Sequence, residues 1–342
     1  MESMATAFEA AQTNTTASST PHDSSAAASG RPWSERQQPQ VDATTRMPAP
    51  GDRALVIGGG GATGNAWVIG VMAGLFDAGL DVTTADLTIG TSAGATAAAQ
   101  VLAATPTELF ASIHTAAPQE LTGSVGFDRG RLATRRAANQ MERTSRIIAA
   151  AFDAADMRRR MGAAALQMEA ESDGSWQARW RATVGERVPS PRWPQRALLI
   201  TAVDANTGEP VVFDRHSGVD LVDAVAASCA SGLPYRIGKN RFIDGGYRRN
   251  ENADLAAGYR RVLVLSPFGG RTRHPLRWRM QLAAQVDDLC GRGSSVETIL
   301  PDSDEKHLFG VNAVDPHLRS VAARAGFDLA VSLTERLIEF WR

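Results

Sequence analysis

The chain has 342 residues, of which 43% are hydrophobic and 21% are charged, so it can bury one large core or two medium-sized cores. Its net charge of −1 excludes the strongly basic proteins that bind nucleic acid through bulk charge, and we predict no nucleic-acid partner. The two cysteines, Cys229 and Cys290, are too few for a disulfide framework and do not have the spacing of metal ligands, so we predict no metal site. We also predict no cofactor.

The first 50 residues consist largely of Ala, Ser, Thr, Gln and Pro and have no helical or strand periodicity. Such a segment cannot bury enough apolar surface to offset the conformational entropy lost on folding. We therefore predict a disordered N-terminal tail over residues 1–50 and one ordered domain over residues 51–342.

The ordered part begins with an apolar strand, Ala54–Ile57, followed at once by a glycine-rich run, Gly58–Gly64. After this run, apolar residues at helical spacing predict an amphipathic helix that ends near Leu80. Successive glycines leave backbone amides free of side chains, and an oxyanion hole needs such donors. The run is therefore a candidate oxyanion loop.

The next strand, predicted over residues 85–89, leads into Gly90-Thr91-Ser92-Ala93-Gly94, and an alanine-rich helix follows over residues 95–102. A serine between two glycines at a strand–helix junction lies on a sharp turn with its hydroxyl exposed. The helix N-terminus favours negative charge there, which suits a nucleophile in acyl transfer. Two successive strand–helix units also predict parallel strands and an α/β fold.

Residues 105–195 have a different pattern, in which arginines alternate with methionines and tryptophans in helical segments. One interpretation is a cap whose methionines line an acyl-chain pocket while its arginines meet anionic head groups. The interpretation we prefer is an ordinary helical insertion with a solvated basic face, because charge runs are usually surface.

The remaining chain predicts strands over residues 197–203, 211–214, 241–244 and 261–265, with a hairpin turn at 204–208 between the first two. Helices are predicted over residues 219–230, 275–290 and 316–340. Asp244 ends one of these strands and is followed by Gly245 and Gly246. A carboxylate held at such a turn can act as a general base.

Taken in order, the glycine run, the G-x-S-x-G elbow and the Asp244-Gly245-Gly246 motif resemble those of the patatin-like phospholipases, and the resemblance extends over residues 53–340. It implies a three-layer α/β fold with a mostly parallel central sheet flanked by helices. It also implies a serine acyl hydrolase for a lipid or acyl-ester substrate, in peripheral contact with a membrane surface. Ser92 would be the nucleophile and Asp244 the base. The implied oxyanion hole comprises Gly59, Gly60 and Gly61, and the supporting motif positions are Gly64, Gly90, Gly94, Gly245 and Gly246.

One position departs from the family pattern. Thr63 stands where the family usually has Arg or Lys in the glycine loop. The amide donors are unaffected, so this departure bears on the rate and the preferred substrate more than on the reaction class.

Three alternatives remain open from the sequence. Gly59, Gly61 and Gly64 fit the G-x-G-x-x-G pattern of a dinucleotide-binding fold, with Asp81 as the ribose-binding acid. A Ser-His-Asp hydrolase would use a histidine base near the C-terminus, with His307 and His317 as candidates. The third alternative is a catalytically silent protein that binds a lipid or another protein.

No apolar run is long enough to span a bilayer, and the N-terminus lacks a basic region followed by an apolar run. We therefore expect a cytoplasmic protein without a secretory signal.

Overall fold

The computed structural model describes residues 42–49, 51–115 and 124–342. Within these ranges, eight strands form one sheet: β1 (Arg53–Ile57), β2 (Leu87–Gly90), β3 (Ala197–Asp204), β4 (Pro210–Phe213), β5 (Tyr235–Ile237), β6 (Asn240–Asp244), β7 (Arg261–Leu265) and β8 (Ser295–Ile299). Their spatial order is β5-β6-β3-β2-β1-β7-β8, with β4 paired to β3. Strands β3, β2, β1, β7 and β8 run parallel, and the pairs β3–β4, β3–β6 and β5–β6 are antiparallel.

Helices cover the sheet, and those of the described ranges are α1 (Gly61–Asp77), α2 (Ala93–Val101), α3 (Pro106–Thr115), α4 (Ser124–Ala150), α5 (Ala154–Ala170), α6 (Trp176–Gly185), α7 (Leu221–Ser228), α8 (Leu282–Cys290) and α9 (Arg319–Trp341). Successive strand side chains point to opposite faces. Leu55 and Ile57 of β1 face a core shared with α1, α2, α7 and α9, whereas Ala54 and Val56 face a second core shared with α8. The result is a sheet between two helical layers.

Helices α1 and α9 are in close contact because small residues meet at their crossing. A Cβ at Gly74 would lie 3.0 Å from Ala330 Cβ, and one at Gly70 or Gly326 would collide with the facing backbone. This packing holds α1, which begins in the glycine run, against α9.

The predicted fold class is confirmed: the sheet is mostly parallel and flanked by helices. The sequence did not predict β5 or β8. The helix predicted over residues 275–290 is wrong in its first half, because only residues 282–290 form α8 and a short 3-10 turn occupies Leu276–Trp278. Pro275 and the left-handed backbone of Arg279 interrupt a continuous helix there.

The insertion between α2 and β3 is helical, as predicted. Met157 and Met161 of α5 are buried against Val203 and Ile243 of the sheet. These methionines therefore form a structural core between insertion and sheet, and this packing agrees with the interpretation of an ordinary insertion.

Of the segment predicted as a disordered tail, residues 1–41 and 50 lie outside the described residues. Residues 42–49 pack on the domain: Ala43 is fully buried and its amide donates to the Val212 carbonyl of β4 at 2.8 Å. Arg46 forms an ion pair with Asp214 at 3.2 Å. The ordered domain thus begins before residue 51.

Candidate active site

The Ser92 elbow lies at the carboxyl end of β2, where the chain turns into α2. Ser92 has φ 53° and ψ −119°, a left-handed conformation that costs on the order of 1–3 kcal/mol for a residue with a side chain. The turn requires glycine on both sides. A Cβ at Gly90 would lie 2.6 Å from Ala95 Cα, and one at Gly94 would lie 2.6 Å from the Gly58 carbonyl oxygen.

Asp244 lies at the end of β6, which is antiparallel to β3, and the Ser92 hydroxyl donates to Asp244 Oδ2 at 2.8 Å. The second carboxylate oxygen, Oδ1, accepts from the Gly246 amide at 2.8 Å. Gly245 has no room for a side chain, because a Cβ there would collide with Thr201. The structure therefore brings together the predicted nucleophile and the predicted base.

Asp244 is only 8% exposed, and burial raises the pKa of its carboxyl to about 6, although the hydrogen bonds from Gly246 and Ser92 act in the opposite direction. An acid with this pKa is still ionised at neutral pH. It is also a stronger base than an ordinary aspartate, which suits proton transfer from a serine hydroxyl.

The glycine loop lies directly beside the elbow. A Cβ at Gly59 would lie 3.5 Å from Ser92 Cβ, and the Thr91 amide donates to the Ile57 carbonyl at 3.1 Å. The Gly59 amide donates to the Asn250 carbonyl at 3.0 Å, whereas none of the hydrogen bonds within the described ranges uses the amides of Gly60 or Gly61. Two of the three predicted donors therefore remain free.

Packing also restricts this loop. A Cβ at Gly60 would lie 2.7 Å from Pro267, and Gly61 has φ 66° with the Ala313 carbonyl oxygen next to it. Gly64 likewise packs against Pro267. Larger side chains at these positions would disturb the fold as well as the amides. Thr63, the departure from the family pattern, is fully buried and its hydroxyl donates to the Leu308 carbonyl at 2.8 Å.

Two further residues beside the nucleophile were not identified as site residues from the sequence. The Ser92 amide donates to the hydroxyl of Ser228, the last residue of α7, at 2.8 Å. Cys229 is the next residue in the chain. Burial, together with the nearby Asp244 carboxylate, raises the pKa of its thiol to about 12. The only sequence signal for either was their place within residues 53–340, the range of the family resemblance.

The residues that the dinucleotide-binding and Ser-His-Asp alternatives require make contacts away from Ser92. Asp81 caps a 3-10 turn by accepting from the Thr83 amide at 2.9 Å. His307 is exposed and its ring contacts the Asp304 carbonyl at 2.7 Å, while His317 lies in another exposed turn. In the part of the chain that the structure describes, no hydrogen bond joins Ser92 to a histidine.

A family comparison identifies the fold and its motifs together. The family model of the patatin-like phospholipases matches residues 55–257, more than half of the chain. The chain belongs to this family. The matched range contains the glycine loop, the elbow and the Asp244 turn, so the resemblance inferred from the motifs is confirmed. Lipid acyl hydrolysis is the general activity of patatin-like phospholipases.

Among solved structures, VipD from Legionella pneumophila is similar to this patatin-like chain with a TM-score of 0.39 and 14% identity, over 91% of this chain and 72% of VipD. A comparison with curated protein sequences found no significant match. No helix within the described ranges is both long and apolar enough to cross a membrane, and these ranges contain no group of three or more potential metal-binding side chains.

Proposed function

We propose that this patatin-like protein hydrolyses carboxylic esters of lipids through a serine acyl-enzyme, with Ser92 as nucleophile and Asp244 as general base. The observation that carries the proposal is the 2.8 Å hydrogen bond from the Ser92 hydroxyl to the buried Asp244 carboxylate. A nucleophile bonded to its base at the end of a strand–helix turn is the geometry that acyl transfer requires.

In the acylation step, Ser92 Oγ attacks the ester carbonyl carbon and its proton passes to Asp244 Oδ2. The oxyanion that forms accepts hydrogen bonds from the free amides of Gly60 and Gly61, at the N-terminus of α1, whose dipole favours negative charge. The intermediate then expels the alcohol, which takes the proton from Asp244, and leaves an acyl ester on Ser92.

Deacylation repeats these steps with water. Water attacks the acyl carbonyl carbon and gives a proton to Asp244, and the second tetrahedral intermediate releases the fatty acid. The proton on Asp244 returns to Ser92 Oγ, which restores the starting state. We further propose that the reaction takes place in the cytoplasm at a membrane surface, an assignment with which the free thiols of Cys229 and Cys290 are consistent.

The test is labelling by a fluorophosphonate probe, followed by assays on phospholipid, lysophospholipid, acylglycerol and short-chain esters. The wild type should be labelled, and Ser92→Ala should lose labelling and on the order of 10⁴-fold or more in turnover. The matched control is Ser112→Ala, in an exposed serine of α3. Wild-type turnover by folded Ser92→Ala would refute the proposal.

A further inference from the structure

The segment Asn250–Asn252 follows the Asp244 turn and contacts the glycine loop, the nucleophile elbow and the base turn. The Asn252 side chain is fully buried, and its backbone has a left-handed φ of 57°. This conformation is uncommon for a non-glycine residue and turns the amide group inward. Asn252 therefore occupies a constrained position at the centre of the catalytic motifs.

The amide nitrogen of Asn252 joins the nucleophile side of the site to the base side. It lies 2.9 Å from Thr91 Oγ1, next to the nucleophile, and 3.3 Å from the carbonyl oxygen of Gly245, next to the base. It also lies 3.2 Å from Thr201 Oγ1 of β3, the strand between them, and 2.7 Å from the Arg249 carbonyl oxygen within its own turn. The two threonine hydroxyls are themselves hydrogen-bonded at 3.0 Å.

The orientation of the Asn252 amide follows from the hydrogen bond that its oxygen accepts. Arg248 Nη1 donates to Asn252 Oδ1 at 2.6 Å, so the oxygen is the acceptor and the nitrogen must face the catalytic elements. Arg248 is itself held by both carboxylate oxygens of Asp254, at 2.9 and 2.6 Å. A guanidinium clamped in this way has little freedom, so it fixes the amide that it binds.

Asn250 makes the corresponding contact with the glycine loop. Its carbonyl accepts from the Gly59 amide at 3.0 Å, and its side-chain nitrogen donates to the Gly59 carbonyl at 3.3 Å. The same nitrogen donates to Glu251 at 2.9 Å, and Glu251 is buried and bonded to Ser266 at 2.7 Å. Both backbone polar groups of Gly59 are thus hydrogen-bonded to Asn250, and Gly59 lies beside Ser92.

From these contacts we infer that Asn250 and Asn252 are the positioning residues of the catalytic site. Asn252 sets the separation of Ser92 and Asp244, and Asn250 sets the glycine loop relative to Ser92. This assignment rests on the proposed function. Neither side chain needs to touch the substrate, so their loss should affect the chemical step more than binding.

The experiment compares Asn250→Ala, Asn252→Ala and Thr201→Val with the wild type on one soluble ester. Asn206→Ala, in the exposed turn between β3 and β4, is the matched control. Turnover is expressed per mole of folded protein, with the folded fraction taken from thermal melts. We expect kcat of each asparagine variant to fall by on the order of 10²-fold, because small misplacements of reacting groups have such effects. KM should stay within about twofold, and Asn206→Ala should behave as wild type.

The split between kcat and KM separates positioning from a purely structural role, which would lower the folded fraction while leaving kcat per folded molecule unchanged. Thr201→Val keeps the side-chain shape and should give a smaller fall in kcat, since it removes one of the acceptors of Asn252. If Asn252→Ala does not fold, Thr201→Val tests the contact of Asn252 and the half-buried Asn250→Ala tests the contact with the glycine loop, in the same assay.

Wild-type kcat in the folded variants would overturn the inference while leaving the Ser92–Asp244 mechanism intact. An unlabelled, inactive wild type would instead overturn both.

Discussion

Replacing Asp244 by Asn should abolish hydrolysis and at the same time stabilise the folded protein at neutral and alkaline pH. The amide has the shape of the carboxyl group. It can accept from the Gly246 amide through its oxygen, and it can donate to the Ser92 hydroxyl through its nitrogen. Asp244→Asn therefore keeps both hydrogen bonds and removes only a buried negative charge and the basic site.

The size of the expected gain in folding stability follows from the burial of the Asp244 carboxyl. Moving the pKa of an aspartic acid from its ordinary value of 3.8 to about 6 corresponds to about 3 kcal/mol. Between these two pH values the folded protein holds a proton that the unfolded chain releases, so folding stability decreases as the pH rises through this interval. Above pH 6 the full cost is present, and Asp244→Asn removes it.

The assay is a series of thermal melts of wild type and Asp244→Asn from pH 4 to pH 8. The variant should melt on the order of 5 °C higher at pH 8, and the difference should shrink below pH 6 and vanish near pH 4. Asp77→Asn, in an exposed aspartate at the end of α1, controls for the change in net charge. In the wild type, kcat/KM should fall about tenfold from its plateau by pH 5, because Asp244 must be ionised to act as base. Equal melting temperatures at pH 8, with activity retained down to pH 4, would refute the reasoning.

Gly94→Ala should destabilise the fold by about 3 kcal/mol or more, because its methyl group would press on the backbone carbonyls of Ile57, which ends β1, and of Gly58. Gly232→Ala, where a Cβ meets nothing within 4 Å, should melt as wild type does, and equal melting of the two variants would contradict this packing. A chain that starts at Asp42 should keep the full melting temperature, whereas one that starts at Gly51 should melt lower, because residues 42–49 bond to β4. Identical melting temperatures would mean that this contact adds nothing to folding stability. Five of the six histidines lie after the N-terminal tail: His114, His216, His274, His307 and His317. Replacing each of these singly by alanine should leave turnover within about tenfold, and a folded variant as inactive as Ser92→Ala would replace the dyad by a triad.

The sequence was most predictive where a tight turn imposes a local pattern. Ser92 and Asp244 each stand at a strand end beside glycines that have to be glycine, so the backbone requirement is visible in a few consecutive letters. The central strands were equally clear because both of their faces are buried, which produces continuous apolar runs such as Val262–Leu265.

Elements at the edges of the sheet left weaker signals. Strand β8 is mostly half-exposed and strand β5 has only three residues. Neither strand therefore has a run of apolar residues that distinguishes it from a loop. Ser228 and Asn252 could not have been assigned a role beside Ser92 from their neighbours in sequence, since Ser92 lies 136 residues from Ser228 and Thr91 lies 161 residues from Asn252. Such long-range hydrogen bonds depend on tertiary structure alone.

The C-terminal part of the chain shows where the folded domain ends. The match to the family stops at residue 257, but β7 follows it and lies inside the sheet, between β1 and the edge strand β8. The carbonyl of Leu265, at the end of β7, also accepts from the Gly58 amide, and Pro267 packs on Gly60. A protein cut after Ala257 would lose an interior strand and the residues that pack on its glycine loop. The boundary of homology is therefore not a folding boundary, and substitutions beyond it can disturb the glycine loop as directly as those within it.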